Sequence, residues 1–230
     1  MDGSTARPGS RIASIAGLIV ALGAGFVLPF LPGQAHQQIT DVGQDTVVVA
    51  FEWIVAVVLL AIVHFWERLP LSSIGFRALS RRDSIAIGVA FAGMYVGLGI
   101  ATALTHDTSV QINGATPAQI GAVPLVLRVV LFLTAGFCEE LMFRAYAIER
   151  LALFTGKLWI GGVVAVVLFT LAHAPRYGFS VSLADVAIIA TFLTALYLWT
   201  RNFWACAIMH AFIDFVGLVA VPVFTASGPH

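Results

Sequence analysis

The sequence predicts an all-α, polytopic transmembrane helical bundle of about seven spans, and three observations carry that reading. Hydrophobic residues make up 60% of the 230 positions and charged residues only 10%, where a soluble domain carries about 25% charged residues. Mean hydropathy is +0.96. Apolar runs near the ~20 residues that cross a hydrocarbon core recur along the chain, separated by polar or Gly/Pro-bearing connections. The environment implied is a lipid bilayer. Formal net charge is zero, and the lack of any Lys/Arg block excludes a nucleic-acid partner.

The first span is read over 12–31. Arg7 and Arg11 precede it as they would precede a signal peptide, but the run is longer than a signal h-region. After Pro32-Gly33 the second span, 46–66, contains Glu52, and His64 near its end reads as an interface residue. The third, 84–104, carries Gly93-x-x-x-Gly97, small residues that let helices approach closely, as do Gly161-Gly162 further on. A loop from Thr105 to Ala118 with Asn113-Gly114 leads to the fourth span, 124–150, which turns at Gly156-Lys157 into the fifth, 158–173. The sixth, 182–200, opens with Ser182-Leu183-Ala184-Asp185, a capping-box pattern that gives Asp185 a structural role. Arg201-Asn202 separates it from the seventh, 203–224. No internal repeat is evident.

Basic residues concentrate at alternate span ends: Arg7 and Arg11; Arg68, Arg77, Arg81 and Arg82; Arg144, Arg150 and Lys157; Arg201. By the positive-inside rule these ends are cytoplasmic, so the N-terminus is inside and, with seven spans, the C-terminus outside. Residues 1–123 then form N-terminal membrane helices and 124–230 the half bearing the chemistry, within one integral membrane domain. Glu52 and Arg128, in the second and fourth spans, are read as structural, either as an ion pair with one another or with Arg128 snorkelling to the interface. His36 and His106 are loop residues, and Cys138 and Cys206, both in apolar helices, make no disulfide framework.

An ionisable group at membrane depth costs several kcal/mol, from ~2.5 upward, so such residues face protein or a wet cavity and act there. The run Gly136 to Arg144 holds Glu139, Glu140 and Arg144. Glu140 and Arg144 are one turn apart with the acid first, the favourable order for an ion pair. Glu139 points about 100° around the helix and has no base at i+3 or i+4, so it is the carboxylate free for chemistry. Two further pairs at i, i+4 spacing follow, Phe169 with His173 and His210 with Asp214. Glu139 and His173 are equally far from the turn near Gly156 and share a level. His210 reaches that level if the hairpin projects into the cytoplasm, with Arg150 and Lys157 near its tip; Pro175 to Ser180 is then irregular backbone partly at membrane depth.

By residue type this site suits acid–base hydrolysis, zinc held by Glu139, His173 and His210, or the proton relay of a transporter; a non-catalytic adaptor is the remaining class. No His-Glu-x-x-His is present to support zinc, and no inverted repeat to support transport.

Glu139-Glu140-x-x-x-Arg144, Phe169-x-x-x-His173 and His210-x-x-x-Asp214 resemble the three motifs of the CPBP intramembrane proteases, the family of the type II CAAX prenyl endopeptidases and their bacterial homologues. Leu196 to Ala207 resembles the approach to the third motif. The resemblance covers about 124 to 224. It implies a helical bundle enclosing an intramembrane catalytic cavity and an endopeptidase that hydrolyses a peptide bond with a glutamate-activated water and no cofactor. Glu139 and His173 would hold the water, with Glu140, His210 and Asp214 completing the catalytic set and Arg144 and Phe169 supporting it. The eukaryotic form resembles His-x-x-x-Asn, whereas an ionised Asp214 cannot donate to an oxyanion. The expectation is therefore that Asp214 accepts from His210 and fixes its tautomer, leaving His210 as the oxyanion donor. The implied substrate is a peptide or lipidated protein, and the implied location a bacterial inner membrane.

Overall fold

The computed structural model describes residues 8–27, 42–106 and 115–226. Arg7, Pro32-Gly33, His36 and Asn113-Gly114 lie outside them. Among the described residues the chain is helical throughout, without β-strands: α1 Pro8–Val27; α2 Val42–Ala61, running into a wide-turned π segment Ile62–Trp66; a 3₁₀ turn Leu71–Ile74; α3 Arg81–Thr105; a short α4 Pro117–Ala122; α5 Leu125–Thr134; a π segment Ala135–Tyr146; α6 Ala147–Thr155; α7 Leu158–Tyr177; α8 Val181–Thr200; α9 Phe203–Phe215, extended by a π segment Val216–Ala220; and α10 Val221–Ala226.

Five stretches are long and apolar enough to cross a membrane by length and composition: Asp45–Trp66, Arg81–Thr105, Leu158–Tyr177, Val181–Thr200 and Phe203–Val223. They answer to the second, third, fifth, sixth and seventh expected spans. The first is represented by a shorter apolar helix, Arg11–Val27. The fourth is a continuous helical path from Leu125 to Thr155, and every residue from Glu140 to Arg150 is buried. That path carries Arg128, Glu140, Arg144, Glu149 and Arg150 because protein, not lipid, surrounds them.

Helix ends follow local chemistry. Ser80 and Asp83 form a capping box at the start of α3, and Thr116 and Gln119 another at α4. Gly156, at φ 71°, closes α6. The box expected at Ser182–Asp185 does not form: α8 begins at Val181 with Ser180 as its N-cap, so Ser182 already lies inside the helix. The irregular stretch expected from Pro175 also shrinks, because α7 continues through Pro175 to Tyr177 and closes with the Gly178 N–H on the Ala174 carbonyl at 2.8 Å. A proline one turn from a helix end removes a bond that fraying would weaken anyway.

Close approach and buried polar clamps hold the bundle. α3 packs on α8, where a Cβ at Gly93 would come within 2.7 Å of the Phe192 ring; α6 packs on α7, where one at Gly161 would lie 2.9 Å from the Ile148 backbone. At one end, Glu67 accepts from Arg150 at 2.7–2.9 Å, from Tyr146 Oη at 2.9 Å and from Ser14 Oγ at 2.7 Å. Glu149 accepts from Arg201 and, at 3.2 Å, from Tyr197. Arg150 is therefore buried inside the bundle rather than near an exposed tip, since its guanidinium finds a bidentate carboxylate there. The second clamp sets register. Glu149 follows Glu139 by ten residues and Arg201 precedes His210 by nine, so pairing Glu149 with Arg201 brings Glu139 and His210 level, and the exposed 153–157 turn projects beyond the clamp.

Candidate active site

The π segment Ala135–Tyr146 packs along α9 because Gly136 has no side chain: a Cβ there would meet the Ala207 carbonyl and the Ala211 nitrogen at 2.9 Å. Wide-turned segments of this kind recur at functional sites, and here the segment holds all three ionisable residues of the first motif. Glu140 is fully buried. Its Oε1 accepts from Arg144 Nη1 at 2.9 Å, as the spacing predicts, and from His210 Nδ1 at 2.7 Å. Because Arg144 holds Glu140 as an acceptor, the hydrogen of that second bond sits on His210 Nδ1.

His210 Nε2 then lies 3.9 Å from Glu139 Oε2 and 3.7 Å from Asp214 Oδ2. Asp214 is beyond hydrogen-bond distance, so Glu140, not Asp214, fixes the His210 tautomer. The reason is directional: Nδ1 faces the π segment that Gly136 admits, whereas Asp214 sits one turn along His210's own helix, on the Nε2 side.

His173 Nδ1 is 2.9 Å from the Phe169 carbonyl. A carbonyl only accepts, so Nδ1 carries the hydrogen and Nε2 remains the ring's acceptor. Phe169 is buried; its ring lies 4.2 Å beneath the Arg144 guanidinium carbon, 4.5 Å from the His173 ring and 6.2 Å from the His210 ring. It thereby ties the three motifs together by cation–π and ring packing.

Glu139, His173, His210 and Asp214 border a cavity of two adjoining lobes, each of about 90 Å³, and Glu52, Glu139, His173 and Arg176 line both. One lobe is walled by Phe51, Met142, Phe143 and Ala172; the other takes in His210 and Asp214. Such a volume holds a few waters but is smaller than the ~300–1,000 Å³ of typical ligand pockets. Among the described residues no three His, Cys, Asp or Glu side chains are grouped as a metal site, and His210 already commits Nδ1 to Glu140.

The structure thus brings Glu139, His173, His210 and Asp214 to one cavity and places Glu140, Arg144 and Phe169 behind it. The expected Glu52–Arg128 pair is absent: Arg128 Nη1 donates to the Leu218 carbonyl at 3.1 Å, while Glu52 borders the cavity. Glu52 and Arg176 are site residues that the sequence reading left out. The signals existed, since Arg176 follows His173 by three residues on one helix face and Glu52 is an intramembrane carboxylate like Glu139.

Residues 121–216 match the family described as Rce1-like, type II CAAX prenyl endopeptidase Rce1-like. That range contains all three motifs. No curated protein and no solved structure matches the chain.

Proposed function

Taking residues 121–216 as a CAAX-protease segment of the Rce1-like type, we propose that this integral membrane protein is an intramembrane endopeptidase whose water is activated by Glu139. The carrying observation is the position of Glu139: among the described residues it alone of the two adjacent acids lines the cavity, where both lobes also present His173. A water between the Glu139 carboxylate and His173 Nε2 donates one hydrogen to each. Glu139 takes the proton as the water oxygen attacks the scissile carbonyl, an acid–base contribution of ~10²–10⁴ in rate.

The oxyanion that forms faces His210. For that role the ring carries both hydrogens, Nδ1–H on Glu140 and Nε2–H on the oxyanion, and the loss of one such donor typically costs about 2.7–4 kcal/mol of transition-state stabilisation. Glu140 and Arg144 are positioning residues in this scheme. They hold His210 and touch no reacting atom. Asp214, within 3.7 Å of Nε2, supports the charged ring. The substrate is a peptide segment of a lipidated or membrane-bound protein, reached at membrane depth in a bacterial inner membrane with the chain's N-terminus in the cytoplasm.

The test is a panel of lipidated and unlipidated peptides incubated with purified protein in detergent, with products mapped by mass spectrometry. Cleavage at one defined bond supports the assignment; an intact panel at saturating peptide rejects it.

A further inference from the structure

Glu52 lies outside the matched segment, in the middle of α2, yet it borders both lobes of the cavity beside Glu139. It is 7% exposed and makes no hydrogen bond or ion pair among the described residues. A buried carboxyl group without a hydrogen-bond partner costs several kcal/mol, and this one opens onto the cavity to which the endopeptidase reading assigns the scissile bond. Its placement is also fixed. The adjoining Trp53 donates from Nε1 to Thr134 Oγ1 at 3.0 Å, and its ring stacks on Phe137 at 5.2 Å. Thr134 and Phe137 lie just ahead of Glu139, so α2 is pinned to the very segment that carries the base. The other ionisable groups at this part of the cavity are His173 and Arg176 on α7, His210 and Asp214 on α9, and Asp45 on α2 itself.

We propose that Glu52 is a second catalytic carboxyl group, the general acid that protonates the departing amine. The inference rests on the endopeptidase reading. Water gives a proton to Glu139 and its oxygen bonds to the carbonyl carbon, making the tetrahedral intermediate. As the C–N bond breaks, the Glu52 carboxyl proton passes to nitrogen and the electron pair of that bond stays with the amine. Glu139 then returns its proton to Glu52, directly or through a cavity water, so one water is consumed and both groups are reset. Two carboxyl groups in one site dividing acid and base roles is a recurring solution for hydrolysis. Glu139 faces water together with His173, which leaves the second group to serve the nitrogen.

The distinguishing experiment compares a cleavable peptide with its thioester analogue, in which sulfur replaces the scissile N–H. A thiol ionises near pH ~8.5, so thiolate leaves without a proton, while an amine does not. Glu52→Gln keeps the shape of the side chain and cannot give up a carboxyl proton. Its kcat on the peptide is expected to fall by ~100-fold or more, with KM and thioester turnover changed by less than about threefold. Glu52→Asp, which retains the proton on a shorter arm, is expected to recover about tenfold of the lost peptide rate. Equal losses on peptide and thioester, or none on either, overturn the assignment, and so does an Asp variant no faster than Gln. If Glu52→Gln fails to fold, the peptide-to-thioester ratio of Glu52→Asp decides alone: an unchanged ratio overturns the role. Wild-type protein that cleaves neither substrate rejects the endopeptidase reading and this role with it, an outcome distinct from an active enzyme indifferent to Glu52.

Discussion

Glu140 and Glu139 are neighbours in the chain with opposite fates. Glu140 is fully buried between Arg144 and His210, while Glu139 borders the cavity. Removing Arg144 leaves the buried Glu140 carboxylate without its guanidinium and held by His210 alone, and breaking a buried pair costs about 3–5 kcal/mol. Arg144→Ala should therefore unfold at a clearly lower temperature in detergent, read by tryptophan fluorescence; melting like wild type would mean that the pair is solvated. At this scale the sequence told half the story. The Glu140–Arg144 bond was legible because one helical turn separates its members. The Glu140–His210 bond spans 70 residues, and nothing in either motif says which carboxylate the ring will meet, so Asp214 was credited with a task that Glu140 performs. Glu52 was passed over for a related reason: an acid and a base in different spans invite pairing on paper, whereas Arg128 finds the Leu218 carbonyl instead.

Among the elements, the π segment and α9 depend on each other through one missing side chain. A Cβ at Gly136 falls 2.8–2.9 Å from Ala211 and Ala207 atoms, all on a helix that cannot yield locally. Overpacking a close contact of this kind costs about 1–3 kcal/mol, and it moves His210 away from Glu140. Gly136→Leu should still insert in the membrane but lose most peptide cleavage, with a smaller loss for Gly136→Ala; full activity in the leucine variant would show that the helices do not need this approach. Five of the expected spans were readable because apolar length is a strong signal. Winding was not. Nothing in Ala135–Tyr146 distinguishes a π segment from an α-helix, since the difference is set by what packs around it. The start of α8 was misplaced by the same limit, because a Ser-x-x-Asp pattern two residues inside a helix looks identical to one at its end.

For the whole molecule, the clamp of Glu149 with Arg201 and that of Glu67 with Arg150 tie one end of the bundle and bring the motifs level, so the cavity is assembled from the C-terminal segment and closed by α1 and α2. In the mechanism proposed above, Glu139 activates the water without a metal. Prolonged dialysis against a strong chelator should leave peptide cleavage unchanged, with metal content by mass spectrometry well below one per chain. Loss of activity on chelation and its return with zinc would make Glu139, His173 and His210 ligands instead. The most direct measurement of the central claim is the cleavage rate of Glu139→Gln relative to wild type, on the same peptide, in preparations matched for thermal stability. The amide keeps the shape and cannot take the proton from water, so cleavage should fall to background while the protein stays folded. A Glu139→Gln protein that cuts the peptide at the wild-type rate would contradict the account at its root.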